Sequence, residues 1–287
     1  LEEAQGQRPA AALDELLGAM ADSSKQLRHA ALDLAGRIPG EPATRKWVDA
    51  AKGARPEVRS EVLTMLGRRG DMSAFPAVAE AIDDADSTVR TAAIDAAVRL
   101  NSAEAIPACL GLLRRSQEAS DIAAVRKALD RLPSAQVVPP LVAALAHVRA
   151  PSSVMLTDLL GKYGTVVPVG PIVDLCRNNN ASVRLAAIKA LGTVATDKDQ
   201  SQLIAVLLAA QEEPEQSAAQ KSLASVCSRI GEPENRAEKV LEAYRSASMD
   251  QRRTLLRALG RIGGKKALTV IMENVRGIVE GRRAAGG

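Results

Sequence analysis

The sequence predicts an all-α protein: a right-handed α-solenoid (an alpha-alpha superhelix) of about eight two-helix repeats over residues 9–276. Three observations predict it. The stretch from Asn180 to Gly192 is a polar turn, a Val-Arg pair, apolar residues at helical spacing, then Leu-Gly, and this form recurs at a near-constant interval. The recurring copies place apolar residues in the same columns. The aromatic share is 1%, with Trp47, Phe75, Tyr163 and Tyr244 the whole set in 287 residues. A compact core of that size normally uses many more rings, because each buries a large area. Filling with Ala, Leu, Val and Ile suits thin layers of closely packed helices.

Aligned on the arginine of the Val-Arg pair, the copies fall at Arg28, Arg59, Arg90, Ile122, Ser153, Arg184, Gln220 and Arg252, spaced by 31, 31, 32, 31, 31, 36 and 32. A fixed period of this length is the mark of a repeat array. Three past the anchor lie Ala31, Val62, Ala93, Val125, Leu156, Ala187, Leu223 and Leu255. Seven past it lie Ala35, Leu66, Ala97, Leu129, Leu160, Leu191, Cys227 and Leu259. Both columns share one face of a helix, so each copy has an amphipathic second helix, helix B. Eight past the anchor, Gly36, Gly67, Gly161, Gly192 and Gly260 allow a turn or a close neighbour.

A first helix, helix A, precedes each of these, as in Ala74–Ile82, Ala105–Leu113, Val137–Leu145 and Gly170–Cys176. Pro76, Pro107, Pro139 and Pro171 are expected near its start, where a missing N–H costs little. Asp83–Ser87 and Asn178–Asn180 supply turn residues that cap the next helix. No segment alternates with period two, so no sheet is expected. Residues 1–8 are an N-terminal extension, and 277–287 are too glycine-rich for a good helix B and are expected to be a flexible tail. Either the last helix is a cap or the natural protein continues past Gly287, and continuation is the preferred reading.

The unit, with Asp84-Ala-Asp-Ser-Thr-Val-Arg-Thr-Ala-Ala-Ile94 as a strong copy, resembles a HEAT repeat, and more narrowly the short HEAT-like repeats named after phycobilisome lyases. The resemblance specifies architecture rather than activity. It implies that Arg28, Arg59, Arg90, Arg184 and Arg252 form a hydrogen-bonded ladder with turn residues of neighbouring units, with Asp22, Asp84, Asp86 and Asn180 placed to receive them. The ladder is expected to fail at Ile122, Ser153 and Gln220.

Two columns remain as candidate binding surfaces. Nine past the anchor, Arg37, Arg68, Arg99, Arg131, Lys162, Arg229 and Arg261 are basic, with Thr193 the exception. Cations near a helix C-terminus are favoured by about 0.3–1 kcal/mol each, which is the plain reading. The sharper reading is a positive stripe facing an acidic partner or phosphates. Five past the anchor, Asp33, Asp95, Lys127, Asp158, Lys189 and Arg257 vary on the face expected to be concave.

The net charge of +4 is mild for a dedicated nucleic-acid binder. Cys109, Cys176 and Cys227 form no pair with metal or disulfide spacing. No phosphate loop, GxSxG elbow or HExxH helix occurs. The expectation is a monomeric, non-enzymatic scaffold with no metal and no cofactor, which binds a protein partner and is a module of a larger protein. Nucleic-acid binding through the basic column is the alternative, as is an accessory role beside a catalytic domain.

Overall fold

A computed structural model describes residues 12–285, with side chains through residue 277. Among the described residues there are helices and no strands. The helices are α1 (12–18), α2 (Lys25–Ala35), α3 (Glu41–Lys52), α4 (Pro56–Arg69), α5 (Phe75–Glu80), α6 (Ser87–Leu100), α7 (Ser102–Arg115) and α8 (Ala119–Leu129). There follow α9 (Ser134–Ala144), α10 (Ala150–Tyr163), α11 (Val169–Leu175), α12 (Ala181–Val194), α13 (Gln200–Ala209), α14 (Glu213–Ser228), α15 (Glu238–Ser246), α16 (Met249–Ile262) and α17 (Lys265–Ala285). Odd-numbered helices are the A helices and even-numbered ones the B helices. This is the all-α solenoid class, with the B helices where the repeat placed them except α14, which starts one turn earlier. The extension at residues 1–8 lies outside the described residues.

Several helices start where their sequence offers a side-chain cap. Ser24, Asp86, Asn101 and Asn180 accept backbone N–H bonds at the starts of α2, α6, α7 and α12. Ser248 and Gln251 close a capping box at α16. Pro76 sits in the first turn of α5 as expected. Pro107 and Pro139 do not: α7 and α9 begin earlier, and both prolines lie inside the helix. Asn101 and Pro133 set those earlier starts. Helix α17 also departs from expectation, running past Gly277 to Ala285 where a tail was expected.

The chain divides into two compact units, Leu1–Ser152 and Ser153–Gly287, the division falling within α10. In the first, α2, α4, α6 and α8 pack side by side, and α3, α5 and α7 pack against them. In the second, α12, α14 and α16 do the same, backed by α11, α13, α15 and α17. Every residue in the two apolar columns is at most 5% exposed, so the 3.6-residue period of the sequence becomes a continuous core. Trp47 on α3 is completely buried within it. The column of glycines works through close approach. A Cβ on Gly67 would lie 2.6 Å from Ala96 Cα, so α4 and α6 meet backbone to backbone. One on Gly192 would lie 3.2 Å from Ser222 Cα.

Candidate binding groove and the arginine ladder

Each anchor arginine occupies the fourth position of its B helix, with the guanidinium turned back over the preceding turn. Arg28 Nη1 donates to the Asp22 and Ser23 carbonyls, at 3.1 and 3.2 Å. Arg90 Nη1 donates to those of Asp84 and Ala85, both at 3.0 Å. Arg184 Nη1 donates to those of Asn178 and Asn179. The other face of the fork reaches the next B helix. Arg28 pairs with Glu61 and Glu57, Arg90 with Asp121 and Glu118, and Arg184 with Glu215. Arg28 is 1% exposed and Asp121 is 0% exposed. A planar five-donor group thus satisfies a turn and ties two repeats together.

The ladder exists, but most of its expected acceptors are different residues. Asp84 does receive Arg59. Asp86 and Asn180 are instead helix caps, and the Asp22 carboxylate accepts from the backbone of Ser24. Those short side chains are consumed by their own turns, which leaves longer or better-placed acids on the following helix to take the arginine. Arg252 bonds the Arg245 carbonyl and stacks 5.5 Å from the Tyr244 ring, with no acid among the described residues.

The anchor at Gln220 is corrected by one helical turn. Gln216 is the fourth residue of α14, and its Nε2 donates to the carbonyls of Ala210 and Gln211 at 3.1 and 3.2 Å. These are the residues six and five positions earlier, the pair that Arg28, Arg90 and Arg184 also hold. Glu215, one before Gln216, receives Arg184 as Asp121, one before Ile122, receives Arg90. Because Ala219, Leu223 and Cys227 are all apolar, a shift of four residues leaves the core pattern intact, and the sequence columns could not detect it. The turn contact by a glutamine was the missed signal.

With that register, Ser225 and not Arg229 is nine past the anchor. Ser225 Oγ donates to the Gly192 carbonyl at 3.0 Å, just as Thr193 Oγ1 lies 2.7 Å from the Gly161 carbonyl. Arg229 donates to the Gly192 and Ala195 carbonyls at the end of α12, so it caps a neighbouring helix rather than belonging to a surface stripe. Arg69, which no column singled out, does this for α2. It donates to the carbonyls of Ala35, Ile38 and Gly40 and to Thr44 Oγ1. Asp71, whose carboxyl is held below its ordinary range first by the Thr44 hydroxyl, stands beside it.

In the first unit the two surface columns converge. Positions five and nine past the anchor are one turn apart on α4 and α6, and position nine falls just past the ends of α2 and α8, so Asp33 with Arg37, Thr64 with Arg68, Asp95 with Arg99, and Lys127 with Arg131 line one open groove of about 960 Å³ across α2, α4, α6 and α8. Asp95 takes both Arg99, at 2.7 Å, and Arg131, at 2.5 Å. Burial alone would raise its pKa, but those two guanidinia outweigh burial and hold it below its ordinary value. Arg68 stands 3.9 Å from Asp33. Arg37 and Lys127 have no ion pair among the described residues. In the second unit, Lys189, Arg257 and Arg261 are exposed, and Arg261 Nε donates to Gln220 Oε1. Asp158 and Lys162 lie on α10. Burial pushes the Cys109 and Cys176 thiols up to about 12 and Cys227 up to about 11, so none is activated as a nucleophile.

The ladder makes a pH prediction at Glu61, whose side chain is 8% exposed. Hydrogen bonding from Arg28 is the main cause that holds its pKa below the ordinary 4.5. A depressed carboxylate contributes stability above its unfolded pKa and loses it as pH falls through the folded value. Glu61→Gln is therefore expected to lower the urea midpoint at pH 7, and the gap from the parent should close towards pH 3. A gap that persists unchanged at pH 3 would show that the pair is not the source of the difference.

Stacked helix pairs, a ladder of forked hydrogen bonds and an open groove over the B helices define a helical-repeat protein. Residues 44–130, the three pairs from α3 to α8, match the family model of HEAT repeats, so the chain carries HEAT repeats. Among solved structures, importin beta matches at 16% identity and a TM-score of 0.50, over 86% of this chain. This chain spans 40% of the length of that one, and the likeness shows the fold alone. Human deoxyhypusine hydroxylase in complex with glycerol matches at 18% identity and a TM-score of 0.37, over 90% of this chain and 98% of that one. The complex of CpcE and CpcF of phycocyanin lyase from Nostoc sp. PCC7120 matches at 17% identity and a TM-score of 0.38, over 87% and 93%. No curated protein matches by sequence. Among the described residues, no helix is long and apolar enough to cross a membrane.

Proposed function

We propose that the protein is a non-enzymatic scaffold that holds a protein partner in the groove over α2, α4, α6 and α8. The observation that carries this reading is the division of labour along each B helix. Positions three and seven past the anchor are buried in all eight copies, whereas positions five and nine in the first unit line the open groove, position five changing from Asp33 to Thr64, Asp95 and Lys127 and position nine holding an arginine in each copy. A repeat array keeps its packing positions uniform and varies its exposed face to suit a partner. The nucleic-acid alternative draws on the same arginines. Against it, His29 is the one ring in the groove lining, while single-strand binders stack bases on aromatic side chains.

A photo-crosslinking residue at Thr91, exposed in the groove, tests the reading beside the same residue at Arg114, on helix A and outside it. Protein adducts that form from Thr91 and not from Arg114 are the expected result. Adducts to nucleic acid from Thr91, or equal protein labelling from both positions, would overturn it.

A further inference from the structure

The groove carries a spacing as well as a charge. Arg68 and Arg99 lie on α4 and α6, and Arg37 and Arg131 in the turns just past α2 and α8, each nine past its anchor, so they form a row with one cation per repeat. Packed helices lie roughly 8–10 Å apart, and the near-contact of Gly67 with Ala96 shows that α4 and α6 are closely packed. A polyproline-type chain rises about 3.1 Å per residue with three residues per turn. Three residues therefore advance about 9 Å and return to the same face.

The internal acids show how the row treats a carboxylate. Asp95, five past its anchor, bridges Arg99 of its own helix and Arg131 just past the end of α8. Asp33 stands one repeat back from Arg68 in the same relation, at 3.9 Å. On α4 that position is Thr64, and on α8 it is Lys127. Two of the four places for a bridging carboxylate are thus unfilled, and Arg37 and Lys127 have no internal acid among the described residues. Six cations line the groove, counting Arg69 and Lys127, against the carboxylates of Asp33, Glu61 and Asp95.

We propose that this row recognises an extended acidic segment of a partner protein, with a carboxylate at every third residue. The inference rests on the scaffold reading above and adds the chemistry of the partner. One carboxylate takes the place that Thr64 leaves open, between Arg68 and Arg99, and others meet Arg37 and Lys127, the cations without an internal acid among the described residues. The forked guanidinium suits such pairing, because two parallel N–H bonds reach one carboxylate.

The test is fluorescence anisotropy with two labelled peptides of equal composition: four Glu-Pro-Pro triplets in tandem, and four glutamates in one block with the prolines after them. The triplet peptide is expected to bind at least about tenfold more tightly. Arg37→Glu with Arg68→Glu should weaken it by a further factor of about ten, and so should Thr64→Asp, which supplies the missing internal carboxylate. Lys52→Glu with Arg114→Glu, the same charge change outside the groove, should have little effect. Equal binding of the two peptides, or equal loss from the outer pair, would overturn the inference, as would tighter binding of a twelve-nucleotide single strand at the same salt. If neither peptide binds while protein adducts still form at Thr91, the acidic partner is wrong and the scaffold stands.

Discussion

Arg90→Ala is expected to destabilise the protein by about 3 kcal/mol, since removing one partner of a buried pair leaves the other charge uncompensated. The stranded group is Asp121, which is 0% exposed, 2.9 Å from Arg90 Nε. The figure sits at the lower end for buried pairs because Glu118, the second partner, is 58% exposed and solvates readily. The carbonyls of Asp84 and Ala85 lose their donor in the same step. Arg68→Ala and Arg99→Ala are the contrast. Their side chains are 69% and 46% exposed, and exposed ion pairs contribute at most about 1 kcal/mol. Urea unfolding of the three variants measures the difference. If Arg90→Ala matched the groove variants, the ladder would not be what joins adjacent repeats.

Leu191→Asp is expected to have the largest effect, on the order of 4–5 kcal/mol. Leu191 is seven past Arg184 on α12 and 1% exposed. Truncating a buried leucine costs roughly 2–5 kcal/mol, and a carboxylate placed there has neither water nor a partner. The Asp variant should melt well below a Leu191→Ala variant, which loses the same contacts without the charge. Equal melting of the two would place Leu191 at a wet surface and refute the register of α12.

The periodic residues show how much of this was legible in advance. Leu66, Ala97, Leu129 and Leu191 recur at the spacing that one helix face requires, and they are buried because that face is the only apolar one available. Arg28, Arg90 and Arg184 recur for the same reason, as one fork per repeat. What the period could not reveal is which acid meets each fork. Asp86 and Asn180 look equal to Glu61 and Asp121 as acceptors, yet a short side chain in a turn is within reach of its own helix N-terminus and bonds there. Arg69 and Arg229 were illegible too, because their partners are carbonyls of another helix, and a carbonyl leaves no trace in sequence.

The groove divides in the same way. Its residues could be read as two columns, Asp33 through Lys127 and Arg37 through Arg131, because exposure at fixed offsets follows from the helix period. That the columns form one surface, with Asp95 bridging two arginines and Thr64 leaving a place open, depends on how closely α4, α6 and α8 approach. The slip at α14 is the sharpest case: an apolar stripe is unchanged by a shift of one turn, so hydrophobic pattern permits Gln216 and Gln220 equally. Only the carbonyls of Ala210 and Gln211 separate them. The sequence by itself determined the helices, their number and their buried faces, since these depend on local periodicity. The tertiary structure decided the partners of every charge, since hydrogen bonds depend on distances between helices that no period encodes.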